Sequence, residues 1–123
     1  MNLFSEPHDQ ALVIRVGEPR IDAAVAIRFK DAMREMIRAD TPDRVILDLS
    51  AVGFIDSSGL GALVSVMKIL APDRRMELAA VSPNVDRVLR LTRMNSVLTI
   101  HLTLDDALGV PTVDAPITAQ IDA

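Results

Sequence analysis

Apolar residues in this chain come in short runs that switch between two rhythms. "ALVIRV" (Ala11 to Val16), "RVILDLS" (Arg44 to Ser50), "MELAAV" (Met76 to Val81) and "VLTIHL" (Val97 to Leu102) are compact and aliphatic, and predict strands. "RVILDLS" is nearly continuous, the pattern of a strand buried on both faces. The preceding "LFSE" is expected to pair with "ALVIRV" across a turn at Pro7, His8 and Asp9. Between the strands the spacing becomes helical. Val25, Phe29, Ala32, Met33 and Met36 share one face of a first helix, which Asp22 is expected to cap and "DTPD" to stop. A second helix is expected over roughly Gly59 to Leu70. A third follows in "SPNVDRVLRLT", with Ser82 as cap and Pro83 at the first helical position, where a missing N–H costs nothing. "TLDDAL" predicts a short fourth helix, capped by Thr103, with two Asp at its positive dipole end. Strands alternating with helices call for an α/β domain with a mainly parallel sheet, here over residues 1–110. From Pro111 the chain has no periodicity and is expected to be a flexible tail.

Composition narrows the function classes. With 123 residues, one domain with a real core is the simplest organisation. Three Phe and no Trp or Tyr leave the core to aliphatics and Met. A net charge of -4, together with that scarcity of aromatic rings, argues against nucleic acid, which is met by clustered cations and stacking surfaces. The absence of Cys removes thiolate chemistry and disulfides and fits a reducing compartment. "MNLFSEPHDQ" has no basic start before an apolar run, and no segment approaches the roughly 20 apolar residues of a membrane span, so a cytoplasmic protein is expected.

The most informative stretch is "FIDSSGLGALVSVMK" (Phe54 to Lys68), where a strand runs into the second helix. On a helical wheel Leu60, Leu63, Val64, Met67 and Ala71 form an apolar face expected to pack on the sheet. Ser58, Gly61, Ala62, Ser65 and Ile69 lie opposite, with Lys68 the helix's only charge. Such a small, smooth face suits a docking partner or, equally on pattern alone, a helix buried inside its own domain. Asp56, Ser57 and Ser58 are all good cap residues, so one of them caps the helix on either view. The stretch I-D-S-S-G is not the G-x-S-x-G elbow of a serine hydrolase. Gly59 and Gly61 make a lone G-x-G without the third glycine of a dinucleotide loop. A hydroxyl here can instead be a target for phosphorylation. The added charge is tolerated at the amide-rich end of its own helix but not by a close-fitting neutral partner.

These residues carry a family resemblance. "VILDLSAVGFIDSSGLGAL" resembles the strand–D-S-[ST]-G-L-G–helix signature of the STAS-domain anti-sigma factor antagonists, and the likeness extends from about Ala11 to Leu108. "GEPRIDAAVA" is similar to the G-x-[LI]-D-A opening of that family's first helix, one residue longer than usual. In the closing third, Arg93 and Met94 stand where a Gly-Leu pair is common. The resemblance implies a STAS-like fold: a mixed, mainly parallel sheet of four or five strands with about four helices, mostly on one face. It implies a regulatory binding protein rather than an enzyme, with no cofactor of its own. The first serine of the motif, Ser57, would be phosphorylated by a serine kinase of the histidine-kinase-like ATPase fold that doubles as an anti-sigma factor. A PP2C-type phosphatase would reverse the mark. Unphosphorylated antagonist would capture the kinase and phosphorylated antagonist would release it. Asp56 and Ser58 would flank the acceptor, Asp22 would match the Asp of the first-helix motif, and Gly59, Gly61, Ala62, Ser65 and Ile69 would line the partner surface. A second reading is an accessory STAS subunit of a membrane transport assembly, such as a lipid transporter, docking through the same helix without phosphate.

Other polar residues carry less. His8 and His101 are isolated and have no metal-ligand spacing. Asp48, a carboxylate inside a buried strand, needs a partner and is expected to find a loop amide near the strand's end. Arg87, Arg90 and Arg93 recur at spacing three, as a solvated helix face does. Gly53 is expected to support a turn.

Overall fold

The structure, a computed structural model, describes residues 1–109, so the expected tail from Pro111 lies outside the described residues. Strand β2 (Ala11–Val16) pairs antiparallel with β1 (Leu3–His8) and parallel with β4 (Arg44–Asp48). β6 (Arg75–Ala79) and β7 (Thr99–His101) continue in parallel, giving the order β1-β2-β4-β6-β7. Two short strands, β3 (Arg20–Ile21) and β5 (Phe54–Ile55), form a separate parallel pair. One expectation fails at the first hairpin. His8 pairs with Ala11, so the turn is Asp9 and Gln10, and Pro7 and His8 belong to the strand. Proline is tolerated because, among the described residues, β1 is an edge strand with no ladder to break on its outer side.

Helix α1 (Ala26–Met36) begins later than its sequence suggests. Asp22 is not its cap. The Asp22 carbonyl accepts from the Val25 and Ala26 amides and its carboxylate from Ala24 N, closing a turn ahead of the helix. Val25 takes the cap position without a side-chain bond, and the helix ends before "DTPD". α2 (Ser57–Leu70) starts two residues earlier than expected. α3 (Pro83–Leu91) and α4 (Leu104–Leu108) start where the sequence indicates, with Ser82 and Thr103 accepting from Val85 N and Asp106 N. Beyond α3, Arg93 adopts a left-handed φ of 61°, a conformation that favours glycine.

Alternation along the strands makes two cores. Ile14, Val16, Val45, Leu47, Met76 and Leu78 face the layer of α1, α2 and α3. Phe29 and Met33 from α1, Leu63 and Val66 from α2, and Val85 and Leu89 from α3 close on them, each such side chain contributing about 1.5–3 kcal/mol by burial. Ala11, Val13, Ile46 and Ala79 point the other way and are covered by Ala107, Leu104 and Leu108 of α4. Among the described residues three α-helices cover one face and one the other, and because α2 leads from the end of β4 back to the start of parallel β6, it begins at the carboxyl ends of the parallel strands. No helix among the described residues is long and apolar enough to cross a membrane.

Candidate functional site

The junction between β5 and α2 divides its labour among three adjacent residues. Asp56 is the cap: its Oδ1 accepts from Gly59 N at 2.9 Å, satisfying a first-turn amide. Its Oδ2 accepts from Ala23 N at 3.2 Å, so the same carboxylate holds the loop that leads into α1. The Gly59 amide foremost, then Ala23, keeps the Asp56 carboxyl below the usual carboxylate range. Ser57 is the first helical residue, and it and Ser58 are exposed. Among the described residues neither serine hydroxyl makes a hydrogen bond. With the capping duty discharged by Asp56, the Ser57 hydroxyl has no structural task.

Burial on α2 differs from the wheel. Gly59, Ala62, Leu63, Val66 and Leu70 are buried, whereas Leu60, Val64 and Met67 are half-buried and Ala71 is exposed. Gly59 and Ala62 are thus more enclosed than the wheel suggests. A Cβ on Gly59 would stand 1.9 Å from the Ile21 carbonyl oxygen, so only glycine lets α2 approach β3 this closely. Ala62 is buried in the main core. Of the other residues expected on that surface, Ser58 and Gly61 are exposed, with open space where a Cβ on Gly61 would go. Ser65 and Ile69 are half-buried. Asp22 is also half-buried, with its carboxylate held by Ala24 N at 3.1 Å and Arg20 Nε at 3.1 Å.

Two neighbours of this site escape sequence reasoning. A shallow groove of about 360 Å³ runs between α1 and α2, with Ile27 and Lys30 on one wall, Ser58, Gly61 and Ser65 on the other, and Ala62 between them. Ile27 is 68% exposed, an aliphatic residue off the buried stripe of its helix; that isolation is the signal available in the sequence. On the adjoining β3–β5 pair, the Arg20 guanidinium lies 4.4 Å from the centre of the Phe54 ring, which is itself partly exposed.

The most strongly organised charges lie elsewhere, on the sheet face that α4 partly covers. Glu77 is buried and accepts from Arg44 Nε at 2.9 Å, Arg44 Nη2 at 2.6 Å and Arg75 Nε at 3.0 Å. His101 Nε2 lies 2.7 Å from its Oε1. Arg44, foremost among these partners, lowers the Glu77 pKa to about 2. Arg44 also donates to the Ala107 carbonyl at 2.7 Å, tying α4 to the sheet. Asp48 behaves as its sequence indicates, accepting from Ser50 N at 2.9 Å. Arg90 pairs with Asp86 on α3, and Arg87 and Arg93 are exposed. Gly53 donates to the Pro19 carbonyl at 2.9 Å, bracing the approach to β5.

Comparison with known proteins adds independent findings. The STAS domain profile matches residues 5–107. An anti-sigma-F factor antagonist of Mycobacterium tuberculosis is 29% identical over 101 residues, covering 82% of this chain and 81% of its own. The crystal structure of an anti-sigma factor antagonist from Mycobacterium paratuberculosis superposes with a TM-score of 0.77 at 31% identity, over 88% of this chain and 91% of that one. A STAS domain protein from Planctomyces limnophilus superposes with a TM-score of 0.78 at 24% identity, over 86% of this chain and 94% of its own, a likeness of fold alone.

Proposed function

The chain belongs to the STAS-domain family of anti-sigma factor antagonists, and from this premise we propose that it is a partner-switching protein controlled by phosphorylation of Ser57. The observation that carries the reading is the unengaged Ser57 hydroxyl, exposed at the start of α2 beside a cap that another residue provides. In the proposed step the Ser57 oxygen attacks the γ-phosphoryl group of ATP bound to a serine kinase. The hydroxyl proton passes to a base of the kinase, and ADP leaves. This chain supplies the acceptor and its pose; the kinase supplies ATP, magnesium and the base.

The new group brings roughly -1.5 to -2 charges. The first turn of α2 tolerates it, because free amides and the positive dipole end favour an anion. The docked partner does not. Asp56 stays ionised beside the phosphate, so the junction presents concentrated negative charge where a single, amide-held carboxylate stood before. A penalty of only about 2.8 kcal/mol weakens association a hundredfold. Capture of an anti-sigma factor kinase by the unmodified face and its release by the modified one follow, with a PP2C-type phosphatase resetting the switch. On this reading Ser58, Gly61, Ser65 and Ile69 contact the partner, and Asp22 and Asp56 hold the loop and helix in place.

The test is incubation with ATP and the serine kinase encoded nearest this chain. Intact mass is expected to rise by a single phosphate in the native chain and in Ser58→Ala, and not in Ser57→Ala. Capture of that kinase is expected to be lost in Ser57→Asp and kept in Ser57→Ala. Equal capture by both variants would sink the switch and favour a constitutive docking subunit.

A further inference from the structure

The outer edge of β1 carries a row of backbone donors and acceptors, and among the described residues nothing pairs with it. His8 and Ala11 close a two-residue loop, so they form a hydrogen-bonded pair, and the alternation then fixes every other position. Phe4, Glu6 and His8 turn their backbone groups toward β2. Leu3, Ser5 and Pro7 turn theirs away. The bond from Gly17 N to the Asn2 carbonyl continues the same alternation. The outward row therefore offers donors and acceptors at Leu3 and Ser5 and an acceptor alone at Pro7.

The geometry points to a second copy of this chain as the occupant, joined β1 to β1 in antiparallel two-fold register about Ser5. In that register the two Ser5 residues exchange N–H···O bonds, and each Leu3 N–H donates to the Pro7 carbonyl of the other copy. The donor that proline lacks falls at the outermost position. Charge selects this register over its neighbours. Phe4 is 50% exposed and carries the Arg15 guanidinium 4.7 Å from its ring centre. Centring on Ser5 sets Glu6 of the second copy opposite that Phe4, within reach of the Arg15 charge, and the symmetry repeats the pair. Centring on Glu6 opposes two carboxylates, and centring on Phe4 sets Glu6 against uncharged Asn2. On the helix-bearing face, Leu3 meets Pro7 at the mouth of a groove of about 650 Å³ whose lining includes Leu3, Leu12 and Met36. Neither Ser57 nor Ser58 lines that groove.

Sedimentation of the full chain over a concentration series reaching about 1 mM tests the inference. Reversible dimerisation is expected, weakened at least tenfold by Glu6→Lys and restored by adding Arg15→Glu. Ser5→Pro removes an outward donor without touching the β1–β2 ladder and is expected to leave a monomer with an unchanged circular dichroism spectrum. If Ser5→Pro does not fold, Glu6→Lys decides. A chain that stays monomeric throughout, or a dimer as tight in Glu6→Lys as in the native protein, overturns the proposal.

Discussion

Asp56 and Glu77 are both carboxylates held ionised, in different parts of the fold and by opposite means. Asp56 sits at a helix start and is satisfied by backbone amides, of Gly59 and Ala23. Glu77 lies in the middle of the sheet and is satisfied by the side chains of Arg44, Arg75 and His101. At Glu77 the charges answer one another, and four contacts fill the acceptor positions of the carboxylate. At Asp56 the carboxylate answers the backbone, and the hydroxyl next to it is left over. Strong pKa perturbation therefore marks the structural cluster here, and the candidate site is recognised by a group with nothing to do.

Breaking the Glu77 cluster should have the largest effect on stability. Glu77→Ala strands Arg44 without its carboxylate and is expected to cost about 3–5 kcal/mol in urea denaturation. Acid should reveal the same cluster. The Glu77 pKa falls from 4.5 unfolded to about 2 folded. Its contribution is therefore complete above pH 4.5 and is lost as pH drops toward 2, a change of roughly 3 kcal/mol. Asp56, also lowered, acts in the same direction. Glu77→Gln should flatten most of that acid limb in a pH series of denaturation midpoints, and an unchanged slope would mean the cluster is not what acid attacks.

At the α2 start the expected effects are smaller and more specific. Gly59→Ala forces a methyl group against the Ile21 carbonyl and should cost about 1–3 kcal/mol by thermal or urea unfolding. Asp56→Ala loses the cap and should cost about 1 kcal/mol. Ser57→Ala should lie within about 0.5 kcal/mol of the native protein. The last pair sharpens the contrast most. If Ser57→Ala destabilised as much as Asp56→Ala, the hydroxyl would have a structural duty after all.

The sequence discloses these two regions unequally. The Ser57 junction is local: a strand, an acid, two serines and a glycine are contiguous, and cap chemistry together with the family signature singles it out. The caps at Ser82 and Thr103 are legible for the same reason. The Glu77 cluster is assembled from residues 44, 75, 77 and 101 on three strands, and no spacing rule links them before the sheet order is known. The faces of α2 are misread because that helix is covered by the sheet on one side and by α1 on another. Burial then spreads past the single stripe a wheel finds, and takes Gly59 and Ala62 with it. Asp22 misleads in a different way. Its cap chemistry is real, but it serves a turn that comes before the helix.

The last helix has only five residues, Leu104–Leu108, too few to persist in water unaided. It keeps its shape through the Thr103 cap, the packing of Leu104, Ala107 and Leu108 on the sheet, and Arg44, which is already committed to Glu77 and also grips the Ala107 carbonyl. Letting go of that one guanidinium would loosen the cover over the aliphatic strip of Ala11, Val13, Ile46 and Ala79 and leave Glu77 without its main partner. Damage there would show twice, as a lowered melting midpoint and as a cloudy tube.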